Sequence, residues 1–198
     1  MPVVRTLKKF DNLDLVTLFL EIGNRIASRE KLATIMELGE GSIKSMIKIL
    51  KNKDLVLTEK SGNKLTKKGK KYFSEINKII SPIIKINQDI FKDKLNVYGC
   101  ILRKYEKNKL KKQYIARENA IRVGCNSAMI LICENNHLKA QYVEEFDFDF
   151  LKKDFDIKDK ELLLITSSDK KKTAKKGILA LSCSLNLKLN KLFREIYQ

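Results

Sequence analysis

The stretch from Leu38 to Lys51 constrains this chain most. Gly39-Glu40-Gly41-Ser42 supplies two glycines for a tight turn, and Ile43, Met46, Ile47 and Leu50 then recur at the spacing that lines one face of an α-helix. Burying that stripe turns Lys44, Ser45, Lys48 and Lys51 outward, and Ser42 reads as the residue that caps the helix. Upstream, Leu15, Leu18, Phe19 and Ile22 mark a first helix from about Leu13 to Arg25. Ser28 reads as the cap of a second helix, with Leu32, Ala33, Ile35 and Met36 inward and an end at Leu38-Gly39. Downstream, Leu55-Val56-Leu57 and Lys64-Leu65-Thr66 flank a turn bending at Gly62, the pattern of a short hairpin. A fourth helix from about Lys67 carries Tyr72, Phe73, Ile76, Ile79 and Ile80 on one side.

Helix, helix, tight turn, helix, hairpin, helix is the order of a winged helix-turn-helix. The chain carries a net charge of +17, and from Ser42 to Lys71 ten lysines stand against only Asp54 and Glu59. Positive charge is therefore concentrated where such a fold meets duplex DNA, with the third helix in the major groove and the hairpin along the backbone. This predicts a DNA-facing set of Ser42, Lys44, Ser45, Lys48, Lys51, Lys60, Lys64, Lys67 and Lys68.

The run Leu38-Gly39-Glu40-Gly41-Ser42-Ile43-Lys44, then Lys53-Asp54-Leu55-Val56, then Leu65-Thr66-Lys67-Lys68-Gly69, resembles archaeal winged-helix transcriptional regulators over about residues 12–80. The resemblance implies DNA binding. It departs from the family at Lys44, where relatives carry an arginine: lysine is a point charge and lacks the fork that grips guanine at two points.

Ser81-Pro82 predicts a division into a DNA-binding domain, residues 1–81, and an α+β domain, residues 82–198. In the second half, strands are expected over Val97–Tyr105, Ser127–Cys133, Leu138–Val143 and Glu161–Ser167. Helices are expected over Gln113–Val123, Phe146–Phe155 and Asp169–Leu185, with Asn135-Asn136 as a hairpin turn. The order βαββαβα predicts a ferredoxin-like sandwich with an extra C-terminal helix. Arg117-Glu118-Asn119-Ala120-Ile121-Arg122-Val123-Gly124 is similar to a run in the C-terminal domain of unknown function that accompanies those archaeal winged helices, which implies no known activity.

Two places invite a small anionic effector. Arg117 and Arg122 share a helix, and Thr166-Ser167-Ser168 delivers hydroxyls to a helix start followed by Lys170 and Lys171. The rest of the chemistry is sparse. One histidine, His137, and four cysteines without two-residue spacing predict no metal site, no cofactor and reduced, buried thiols. Glu144, Glu145, Asp147 and Asp149 form the main acidic cluster and read as a solvated loop. With 43% hydrophobic residues the chain can bury a core, yet no run approaches the roughly 18 apolar residues of a membrane span. Met1-Pro2-Val3-Val4-Arg5 lacks a signal-peptide core, so the expected location is the cytoplasm.

The reading is thus a DNA-binding transcriptional regulator, not an enzyme, working as a homodimer through the Tyr72 to Ile80 stripe, with the second domain dimerising or sensing an effector. The alternative is an enzyme of unknown reaction that carries a winged helix as a regulatory appendage.

Overall fold

The computed structural model describes residues 10–141 and 146–198. Two compact units emerge, one from residues up to Phe73 together with Phe193–Gln198, the other from Ser74–Leu192. The division falls before the expected 81/82 boundary for a clear reason. The Ser81 amide donates to Ile101 O (2.9 Å), the Arg103 amide donates to Ile79 O (2.8 Å), and Ile80 bridges Leu102, so residues 79–81 pair within the second unit. Pro82 leads into an edge strand and marks no linker.

In the first unit, α1 (Asn12–Asn24) starts at a reciprocal cap between Asp11 and Asp14. Ser28 caps α2 (Arg29–Met36) as expected, its side chain accepting from the Lys31 amide at 3.2 Å. α3 spans Glu40–Asn52 and differs from expectation at its start. Gly39 is the cap, without a side-chain bond, and Ser42 lies inside the first turn with its amide donating to Gly39 O (2.9 Å). The bend between α2 and α3 is made by Glu37 in the left-handed region (φ 51°), whereas Gly39 sits at φ −63°. Neither Gly39 nor Gly41 is needed sterically, since a methyl on either meets nothing within 4 Å. Gly41→Ala is therefore expected to stabilise the fold by about 0.5–1 kcal/mol, read as a higher melting temperature.

β1 (Val56–Glu59) and β2 (Gly62–Leu65) form the antiparallel hairpin, and α4 (Lys67–Asn77) follows. Leu15, Leu18, Phe19, Leu32, Met36, Ile43, Met46 and Leu50 are buried, so the apolar stripes of the first three helices meet as their periodicity predicts. The Tyr72 to Ile80 stripe is used within the chain. Ile76, Ile79 and Ile80 are buried, and Phe73 packs so closely on α1 that a methyl at Gly23 would overlap its ring. The ground for a dimer face on α4 is thereby removed.

The second unit is a five-stranded sheet in the order β3 (Ile84–Ile86), β4 (Asn96–Leu102), β7 (Leu162–Ser168), β5 (Ser127–Glu134), β6 (His137–Ala140). Every pairing is antiparallel, so β4 and β5 run parallel with β7 between them. A ferredoxin-like sheet would put its third strand there, so that expectation is corrected. The cause is visible in the residues: Leu162-Leu163-Leu164-Ile165 is apolar on both faces and needs cover on both, which only a central strand receives. β6 is short and half exposed, and suits an edge.

α5 (Lys107–Leu110), α6 (Gln113–Arg122) and α7 (Lys171–Leu185) precede the last helix, α8 (Leu187–Tyr197). α6 and α7 pack against each other, and α7 lies on β4 and β7. On the opposite face Phe148, Leu151 and Phe155 fold over Val97, Ile101, Leu131, Leu163 and Ile165. They reach it through a 3-10 turn at Asp149–Lys153, where a helix over Phe146–Phe155 was expected. Asp149 fixes that turn to the β5–β6 hairpin by accepting from the Leu138 amide (2.7 Å), with His137 Nδ1 at 2.7 Å and Lys152 Nζ at 3.2 Å. The Leu138 amide, with Lys152 and His137, holds its carboxyl below the ordinary aspartate range. Asp149 is thus a structural tie, while Glu144 and Glu145, like the first five residues, lie outside the described residues.

None of the four cysteines is in a disulfide, and three of them are buried. Burial pushes the Cys100 thiol up to about 12 and Cys125 up to about 11. Half-buried Cys183 is accordingly expected to react first with an alkylating reagent at neutral pH, as peptide mapping would show.

Candidate nucleic-acid interface

α3 and the β1–β2 hairpin enclose a groove of about 520 Å3, lined by Lys44, Lys48 and Lys51 from the helix, Lys60 from the hairpin tip, and Arg29 from the first turn of α2. The helical lysines recur at three- and four-residue spacing on the side opposite the buried Ile43, Met46 and Leu50, which is why they share one wall. Asn52, Thr58 and Asn63 add polar groups to the lining.

The hairpin is held in place by Asn63, which is 3% exposed. Its amide donates to Ala27 O (2.9 Å), its side-chain Nδ2 donates to the same carbonyl (3.1 Å), and its Oδ1 accepts from Thr58 Oγ1 (2.8 Å). Gly62 beside it has φ +125°, and a methyl there would stand 2.7 Å from Ala27 O. Gly62→Ala should therefore cost about 2 kcal/mol, from strain at positive φ plus the clash, and loosen the hairpin in amide exchange. Nothing in residue type alone showed that one carbonyl between α1 and α2 anchors the wall of the groove.

The structure brings together only part of the expected set. Lys44, Lys48, Lys51 and Lys60 converge. Lys64 pairs with Glu59 across the hairpin (2.7 Å), and Lys68 Nζ donates to Lys53 O (2.9 Å), so both have local work. Ser45 is exposed on the same helix but bonds back to Gly41 O (3.0 Å). Ser42 and Lys67 lie outside the groove lining. Arg29 was missed. It opens α2 and its Nε meets Glu40 at 2.8 Å, at the start of α3, a proximity that helix periodicity does not encode.

Residues 7–80 match the CggR N-terminal DNA binding domain family. Over 95% of this chain and 100% of the other, the structure is similar to that of the hypothetical protein PH0730 from Pyrococcus horikoshii OT3, with a TM-score of 0.79 at 20% sequence identity. That likeness is one of fold. Among curated protein sequences nothing matches the chain.

The expected effector positions in the second unit fare differently. Thr166, Ser167 and Ser168 are wholly buried and their hydroxyls donate inward. Thr166 reaches Ala174 O (2.7 Å), Ser167 reaches Asp93 (2.5 Å), and Ser168 reaches Asp169 (3.0 Å). Lys170 and Lys171 are exposed beside them, but the hydroxyls are consumed by the fold and offer an anion nothing. Arg117 donates through Nε to Ala128 O (3.1 Å), and Arg122 pairs with Glu118 one turn back (3.8 Å).

Proposed function

We propose that this chain is a DNA-binding transcriptional regulator of winged helix-turn-helix type, acting in the cytoplasm as a binding protein and not as an enzyme. α3 enters the major groove of duplex DNA, the hairpin follows the adjoining backbone, and the second unit serves dimerisation. One observation carries the reading: Lys44, Lys48 and Lys51 from a helix and Lys60 from a hairpin tip open onto a single groove. The match of residues 7–80 to a DNA-binding family supports it.

Lysines in place of base-reading arginine put most of the affinity into phosphate contacts, so binding should be steeply salt-dependent. Roughly four phosphate contacts per subunit give a log-log salt slope of about −4. Fluorescence anisotropy with a labelled duplex between low and moderate salt measures it, and a slope near zero would refute the proposal.

A further inference from the structure

Strand alternation gives β5 two faces. Leu131 and Cys133 join the core with Phe148, Leu151 and Phe155, so Ile130, Ile132 and Glu134 turn to the opposite, helical face. On that face α7 lies over β4 and β7, and α6 packs on β5. Toward β6 it opens into a groove of about 570 Å3, walled on one side by the short α5 with Lys107, Leu110 and Lys111. Lys139 enters from β6, where it pairs opposite Ile132. Lys160 enters from the turn before β7, held beside β5 by its amide, which donates to Cys133 O (2.7 Å). The buried Gln113 side chain at the start of α6 donates to Gln141 and ends the groove.

Four ammonium groups thus line this groove against one carboxylate, Glu134, an excess of three positive charges. Among the described residues none of the four has an ion pair, unlike Lys64 with Glu59 or Lys152 with Asp149. Glu134 lies instead by Tyr105, whose hydroxyl is held above the ordinary tyrosine range by burial and by that carboxylate. Like charges gathered in a concave site repel, and an anion that enters relieves the repulsion. The floor is of the other kind. Ile130 is buried, and Ile132, Leu110 and Tyr105 are half-buried. An apolar floor with a few polar groups, at a size within the range of about 300–1,000 Å3, is the make-up of a small-molecule site. The lysines stand around that floor on three sides, not along a line, so they suit a compact anion better than the backbone of a duplex.

We infer that this groove binds a nucleoside diphosphate, its phosphates on the lysines and its base on the apolar floor. A diphosphate carries about three negative charges at neutral pH, which matches the excess of three positive charges around the floor. Lysine is a point charge on a flexible stem and meets phosphate oxygens without a fixed fork. Glu134 supplies an acceptor for an amino group on the base, and Ile130 and Ile132 supply the surface against which a flat ring is buried. This goes beyond the DNA reading and stands on the second unit alone.

Isothermal titration of the full chain with ADP, without added metal and at moderate salt, tests it. The wild type should bind with a Kd below about 100 μM. Inorganic pyrophosphate, which has the charge without the base, should bind at least about tenfold more weakly. Lys139→Glu with Lys160→Glu should raise the Kd for ADP by at least about thirtyfold with an unchanged circular-dichroism melt, since both side chains are exposed. Lys170→Glu with Lys171→Glu makes the same change in net charge outside the groove and should leave the Kd within about twofold. A Kd above about 1 mM, equal affinity for pyrophosphate and ADP, or equal losses in the two double variants would each overturn the inference. So would displacement of ADP by a saturating duplex, which would make the groove part of a nucleic-acid surface. Duplex binding is read in its own titration, so failure of the ADP site and failure of the DNA reading are distinguishable.

Discussion

Replacing Lys44, Lys48 and Lys51 together with alanine should weaken duplex binding about a hundredfold at physiological salt and flatten the log-log salt slope by about 3. Each lysine that neutralises a phosphate releases close to one counterion, so three of them account for about that change in slope. At roughly 1 kcal/mol per charge-assisted contact the loss is about 3 kcal/mol, a factor near one hundred. The side chains are exposed on α3, facing away from Ile43, Met46 and Leu50, so the melting temperature should move little. Charge loss elsewhere supplies the control. Lys64 is paired with Glu59 and lies outside the groove, so Lys64→Ala, which removes one charge, should cost less than about twofold, against about fivefold for each groove lysine. Equal losses per charge removed, by anisotropy, would mean that binding follows overall charge and not this groove.

Gly177→Ala is expected to be the most damaging single methyl in the second unit. Gly177 is where α7 sits on the sheet: an added Cβ would overlap the Cys125 sulfur and stand 3.1 Å from the Thr166 methyl. Both neighbours are fixed, Cys125 Sγ by the Thr173 carbonyl (3.4 Å) and Thr166 Oγ1 by the Ala174 carbonyl (2.7 Å). Overpacking of this kind costs about 3 kcal/mol, a fall of about 6–12 °C in Tm for a chain of this size. The sulfur is the main obstacle, so Cys125→Ala should restore most of the loss in the Gly177→Ala background while destabilising the wild type. Additive effects in that double-mutant cycle would contradict the packing described.

Most of the first unit was legible because its signals are local. Stripes at three- and four-residue spacing gave α1 to α4, Ser28 gave a cap, and Gly62 gave the hairpin bend. The start of α3 was misread because a serine after two glycines looks like a cap, whereas Glu37 makes the turn and the helix begins at Glu40. In the second unit the strands could be found but not ordered. Which strand pairs with which is a long-range matter, and the doubly apolar Leu162–Ile165 was the one available sign that β7 would take the centre. Ile84–Ile86 is too short to show alternation, and α8 escaped although Leu189, Phe193 and Ile196 keep helical spacing.

The site divides in the same way. Lys44, Lys48 and Lys51 were readable because the buried face of one helix dictates its exposed face. Arg29 beside Glu40, and the anchoring of Asn63 on Ala27, depend on tertiary contacts that no spacing announces. Thr166 to Ser168 shows the reverse error: hydroxyls at a strand end resemble ligand donors until the fold is seen to consume them.

Selection of bound genomic fragments by the purified protein tests the central claim most directly, followed by anisotropy on the enriched duplex and on a shuffled duplex of equal length at one fixed salt concentration. A regulator that reads DNA through α3 should prefer the enriched duplex by about a thousandfold or more. Replacing Lys44 and Lys48 by alanine should weaken binding to both duplexes, since their contacts are to phosphate. Equal affinity for the enriched and shuffled duplexes, unchanged by those replacements, would contradict the account.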